Sequence, residues 1–83
     1  MELSSDYDFI FNIINYLAYK YNISFFITSK DFDILYSWWE KKIPSTMIKE
    51  SIDNVVVRWK KRDKQISGFS NFSYEVRKKY KSR

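Results

Sequence analysis

The sequence predicts an all-α fold: a small four-helix domain with a central antiparallel helical hairpin. Three observations carry this. Apolar residues recur with a helical period in four segments, at about residues 6–21, 29–42, 45–63 and 69–80. A capping-box pattern opens the second segment, and Pro44 opens the third. The short apolar run outside them, residues 22–27, has no second strand to pair with and reads as an extended connector.

In the first segment Ile10, Ile13, Ile14, Leu17 and Tyr21 form one stripe of an amphipathic helix. Ser4 or Ser5 can cap it, and Asp6 and Asp8 suit the positive end of its dipole. Phe9, Phe11, Tyr16 and Tyr19 lie off the stripe, so this helix is expected to be covered on two sides, within the monomer or by another chain. In the second segment Thr28 precedes Asp31 by three residues, an acidic variant of the capping box, with Ile27 and Phe32 placed as a hydrophobic staple. Phe32, Leu35 and Trp39, joined by Ile34 and Trp38, are expected to face inward, and Lys41 and Lys42 suit the negative dipole end.

Pro44 disfavours continuation through Ile43 and suits the first turn of a third helix. Ile48, Ile52, Val55, Val56 and Trp59 are its apolar stripe. The link is short, so helices two and three are expected to form the hairpin. After a polar loop at residues 64–68, Phe69, Phe72, Val76 and Tyr80 mark one face of a fourth helix, with Glu75 and Lys79 as an i, i+4 pair.

Eighty-three residues, 45% hydrophobic and 20% aromatic, suit a single globular domain over residues 1–83. The chain has no Cys and no His. Disulfides, thiolate or imidazole metal sites, and cysteine or Ser-His-Asp catalysis are thereby excluded. A single glycine, Gly68, excludes a glycine-rich phosphate loop. Asp31 with Asp33, and Glu50 with Asp53, read as caps and solvated helix faces rather than an acid–base pair. No enzyme activity, cofactor or metal is expected. Glu2, Asp6 and Asp8 stand where a signal peptide carries positive charge. The apolar stretch 9–17 is too short to span a bilayer, and a cytoplasmic protein is expected.

Charge is the informative asymmetry. Residues 1–57 carry five basic and eight acidic residues, whereas residues 58–83 carry ten basic and two acidic. Arg58, Lys60, Lys61, Arg62 and Lys64 cluster around the end of the third helix. Arg77, Lys78, Lys79, Lys81 and Arg83 cluster around the end of the fourth. One or two cations would satisfy each helix dipole, and five exceed that need. Such a patch suits phosphates, with counterion release as the driving term. Phe72 and Tyr80 interleave with the second cluster as stacking candidates. The expected function is a non-enzymatic nucleic-acid-binding domain, DNA before RNA. The alternative is a protein-interaction adaptor or small assembly subunit, with aromatic helix one as the interface to a partner or second copy and the basic tail on an acidic surface. A membrane partner is not expected, because the basic helices lack a broad apolar face beyond their packing stripe.

The order Thr28-Ser29-Lys30-Asp31, Trp38-Trp39, Ile43-Pro44, Ile48-x3-Ile52 and Phe72-x3-Val76-x3-Tyr80 resembles the C-terminal helical domain of DnaD-type primosomal and phage replisome-organiser proteins. It covers residues 27–80. The resemblance implies a compact helical domain that binds DNA through the terminal motif and its basic neighbours, and that meets other replication proteins. Phe72 and Tyr80 stand where Tyr and Trp are more usual, and the loop 60–68 is longer and more basic than the family pattern. No companion winged-helix domain lies in these 83 residues, so helicase loading is not implied.

Overall fold

The computed structural model describes residues 5–82. It contains α1 (Ser5–Tyr21), α2 (Ser29–Glu40), α3 (Ser45–Lys61) and α4 (Ser70–Ser82), with no strand among the described residues. The expected caps Ser4 and Ser5, and Arg83 of the basic tail, lie outside the described side chains. Residues 22–28 are the extended connector.

The helix boundaries follow from local chemistry. Thr28 Oγ1 accepts the Asp31 N–H at 3.3 Å, and Asp31 Oδ2 accepts the Thr28 N–H at 2.9 Å, closing the capping box. At the end of α2 Lys42 turns left-handed (φ 59°), Lys42 N–H donates to Trp39 O, and Ile43 N–H donates to Trp38 O. That is a Schellman turn, with buried Ile43 and Trp38 as its apolar pair. α3 ends the same way. Asp63 is left-handed (φ 57°), and Lys64 N–H donates to Trp59 O at 2.9 Å. Asn22 (φ 54°) stops α1.

The core gathers Ile10, Ile13 and Leu17 of α1, Leu35 and Trp38 of α2, Ile48, Ile52, Val55 and Val56 of α3, and Phe69, Phe72 and Val76 at α4. The predicted stripes of α1, α3 and α4 supply it. On α2 the stripe is shifted. Asp31, Leu35 and Trp38 are buried, Ile34 and Trp39 are half-buried, and Phe32 is exposed, contrary to its expected inward face. Asp31, Leu35 and Trp38 stand at i, i+4 and i+7, so Phe32, one residue on from Asp31, is rotated away by about 100°.

Helices approach in the pairs α3 with α4, α1 with α2, α1 with α3, and α2 with α4. The expected hairpin of α2 and α3 is not among them: no Cα of one lies within 8 Å of the other. The left-handed Lys42 followed by extended Pro44 (ψ 139°) redirects the chain between them, and both helices contribute side chains to the shared core. α4 instead runs back along α3, its far end returning to the α2 terminus, where Tyr80 Oη donates to Lys41 O at 3.2 Å.

Three carboxylates tie the helices together. Asp31 Oδ1 accepts the Phe69 N–H at 3.0 Å, joining the start of α2 to the start of α4. Asp53 on α3 accepts from Tyr21 Oη at 2.6 Å, Tyr16 Oη at 2.8 Å and Lys20 Nζ at 3.3 Å, all on α1. Glu75 on α4 accepts from Arg58 Nη2 of α3 at 3.2 Å. The local Glu75–Lys79 pair expected on α4 gives way to this bond between helices, because Glu75 sits on the buried side against α3.

Burial opposes the charge on all three acids, but their donors outweigh it, and each carboxyl is held below its usual range. Tyr21 moves the other way: burial and the Asp53 carboxylate push its phenol up to about 12. The Tyr16 hydroxyl, followed by Asp53, lifts Lys20 above the ordinary lysine range. The signs give a window. A depressed carboxyl contributes fully above its unfolded value near ~4 and loses that contribution as pH falls through the lower folded value. A raised phenol or ammonium contributes below its unfolded value near ~10 and loses that as pH rises. Thermal melts by circular dichroism should be flat from about pH 5 to 9 and fall on both sides. An acid limb that stays flat would show that these carboxylates gain nothing on folding.

Candidate nucleic-acid interface

The last turn of α3 and its Schellman closure present the first cationic cluster. Lys60, Lys61, Arg62 and Lys64 are exposed. Arg58 is exposed as well, but its guanidinium is engaged by Glu75. Lys64 Nζ lies 4.7 Å from the centre of the Trp59 ring, over its face.

The second cluster lies on α4. Arg77, Lys78 and Lys81 are exposed, and Lys79 is half-buried. Tyr74, 68% exposed, shares that outer face, with Lys78 Nζ 5.9 Å from its ring centre. Lys60, Lys61, Arg62, Arg77, Lys79 and Lys81 make no ion pair among the described residues.

The structure corrects two members of the sequence-derived set. Phe72 is fully buried, with its ring 5.9 Å from that of Phe69, and cannot stack on a base without unfolding α4 from the core. Tyr80 is half-buried, and its hydroxyl is bonded to Lys41 O. The exposed aromatic groups beside the cations are instead Tyr74 and the half-buried Trp59. Tyr74 is legible in retrospect, since it falls out of phase with the Phe69–Phe72–Val76–Tyr80 stripe. Nothing in the sequence marks Trp59, because its spacing is that of a core residue.

Because α4 returns along α3, residues 60–64 precede its start and residues 77–81 lie at its end, with Arg58 facing Glu75 between them. The thirteen residues of α4 span ~20 Å at ~1.5 Å each. The Tyr80–Lys41 bond brings exposed Lys41 and Lys42 to the second cluster, two cations that the sequence had assigned only to the α2 dipole. Along one nucleic-acid strand, charged every ~3.4 Å, roughly six phosphates cover this distance.

Among the described residues no group of three acidic side chains is placed to hold a metal ion, and no helix is long and apolar enough to cross a membrane. No family model, curated protein or solved structure matches the chain.

Proposed function

We propose that this chain is a non-enzymatic nucleic-acid-binding domain that engages phosphates through residues 58–64 and 77–81. The observation that carries the reading is the set of six cations, Lys60, Lys61, Arg62, Arg77, Lys79 and Lys81, left without a carboxylate across ~20 Å of α4 and its preceding turn. Phosphate neutralisation there has no competitor to displace. Arg58 contributes less, being committed to Glu75. DNA is the proposed polymer, and replication the proposed setting, on the resemblance of residues 27–80 to DnaD-type domains.

A labelled oligonucleotide titrated at two salt concentrations tests this. With about six phosphate contacts, affinity should fall roughly a thousandfold between about 50 and 200 mM salt. Replacing Lys60, Lys61 and Lys64 together by Glu should abolish the gel shift while helicity is kept. An unchanged shift would remove the proposal.

One observation favours the second reading, a protein-interaction adaptor. α1 packs against α2 and α3, yet Tyr7 and Phe11 remain 58% and 48% exposed, stacked with ring centres 6.2 Å apart. With Phe32, Tyr36, Asp6 and Asp33, Tyr7 lines an open groove on the α1–α2 face. Under this reading the chain self-associates in light scattering, and Phe11→Glu returns it to monomer without changing oligonucleotide affinity. A monomeric wild type at high concentration would count against self-association.

A further inference from the structure

A second groove, of about 530 Å³, runs between the α1–α2 connector and the end of α3. That volume is within the roughly 300–1,000 Å³ of small-ligand sites. Asn22, Ser24 and Ile23 form one wall, and Trp59, Lys60, Lys64 and Gln65 form the other. We propose that this groove takes one unpaired base of a single-stranded nucleic acid, stacked on Trp59, with Lys60 and Lys64 on the flanking phosphates. The inference rests on the phosphate-binding reading above and gives it a strand preference.

Three features converge on this ligand. First, Trp59 is half-buried, so its ring is anchored against the core while still lining the groove. A fixed aromatic face is what a base needs for stacking. Second, Lys64 Nζ covers that ring at 4.7 Å, and the Lys64 backbone is pinned there by its N–H bond to Trp59 O. A base that takes the ring face releases the ammonium, and the flexible lysine stem carries it to the adjoining phosphate. Third, the side chains of Asn22, Ser24 and Gln65 form no hydrogen bond among the described residues, which leaves amide and hydroxyl groups for a base edge. An apolar peptide would meet two ammonium groups here, and a free phosphate would gain nothing from the indole. A base inside a duplex is already stacked and would have to be flipped out first.

The test uses the full chain with a short labelled oligothymidylate, a duplex of equal length, and heparin. Wild type should bind the single strand more tightly than the duplex. Trp59→Ala should weaken oligothymidylate binding about tenfold or more while leaving heparin binding unchanged, and Trp59→Phe should keep most of the affinity. Circular dichroism verifies that each variant is folded. Independently of any variant that fails to fold, the indole N–H resonance of Trp59, assigned with Trp59→Phe, should shift on adding oligothymidylate and not on adding heparin. Equal affinity for duplex, an unmoved Trp59 resonance, or parallel losses for heparin and oligothymidylate would overturn the groove assignment while leaving phosphate binding in place. Failure of wild type to bind either polyanion would overturn both.

Discussion

Replacing Asp31 by alanine is expected to destabilise the domain by about 3 kcal/mol. The carboxylate does two jobs with its two oxygens. Oδ2 accepts the Thr28 N–H and the Thr28 hydroxyl, which completes the N-cap of α2. Oδ1 accepts the Phe69 N–H in a buried environment, where α4 begins. Losing a cap costs about 1 kcal/mol. Leaving a buried N–H without an acceptor costs a further ~1–3 kcal/mol. A domain of this size is stable by only about 4–12 kcal/mol, so the loss is a large share. Asp31→Asn should cost less, because its carbonyl oxygen can still serve one N–H while its amide nitrogen cannot accept from the other. Urea denaturation reads both. A loss below about 1 kcal/mol for the alanine variant would mean that water replaces the carboxylate at Phe69.

Gly68 sits against the same carboxylate. Gly68 does not have positive φ, so backbone freedom is not its role. A β-carbon there would lie 3.2 Å from Asp31 Oδ1, closer than ordinary van der Waals contact, and would press on the carboxylate that reaches the adjacent Phe69 N–H.

Phe72→Ala should cost about 3–5 kcal/mol, as expected for a wholly enclosed ring. Phe72 lies beside Phe69, which in turn meets Phe25 of the connector edge-on at 5.4 Å. The cavity left behind would therefore open where α4, α3 and the connector meet. Under the proposed function this variant loses oligonucleotide binding only as far as it unfolds, and added osmolyte restores binding along with helicity. Tyr74→Ala should do the reverse, leaving the melting temperature nearly unchanged while weakening binding. Should Phe72→Ala stay within about 1 kcal/mol of wild type, the ring is not part of the core that holds α4.

The corrections on α2 and α4 have a common cause. Periodicity separates an apolar stripe from its surroundings, but neighbouring aromatic residues on a crowded helix compete for the same direction. On α2, Asp31 lies on the buried side and bonds Phe69, which leaves Phe32, about 100° further round the helix, on the exposed side. On α4, Phe72 suits a core equally as well as a base stack, and only its neighbours across the interface decide.

Much that depends on residues within about four positions of one another was legible in the chain, although the local Glu75–Lys79 pair was not kept. The four helices, the Thr28–Asp31 capping box, the stop before Pro44, the extended connector and the surplus aromatic groups on α1 all follow from backbone geometry and side-chain spacing that operate inside one helix turn. The folded molecule alone decided that α4 rather than α2 lies along α3, that Glu75 reaches Arg58, that Asp31 holds Phe69, and that Lys64 lies over the Trp59 ring at the wall of a groove. These are contacts between separate elements, or across a turn whose left-handed residue is Asp63 rather than glycine. Their free energy depends on which helix faces meet, a quantity that no local pattern carries.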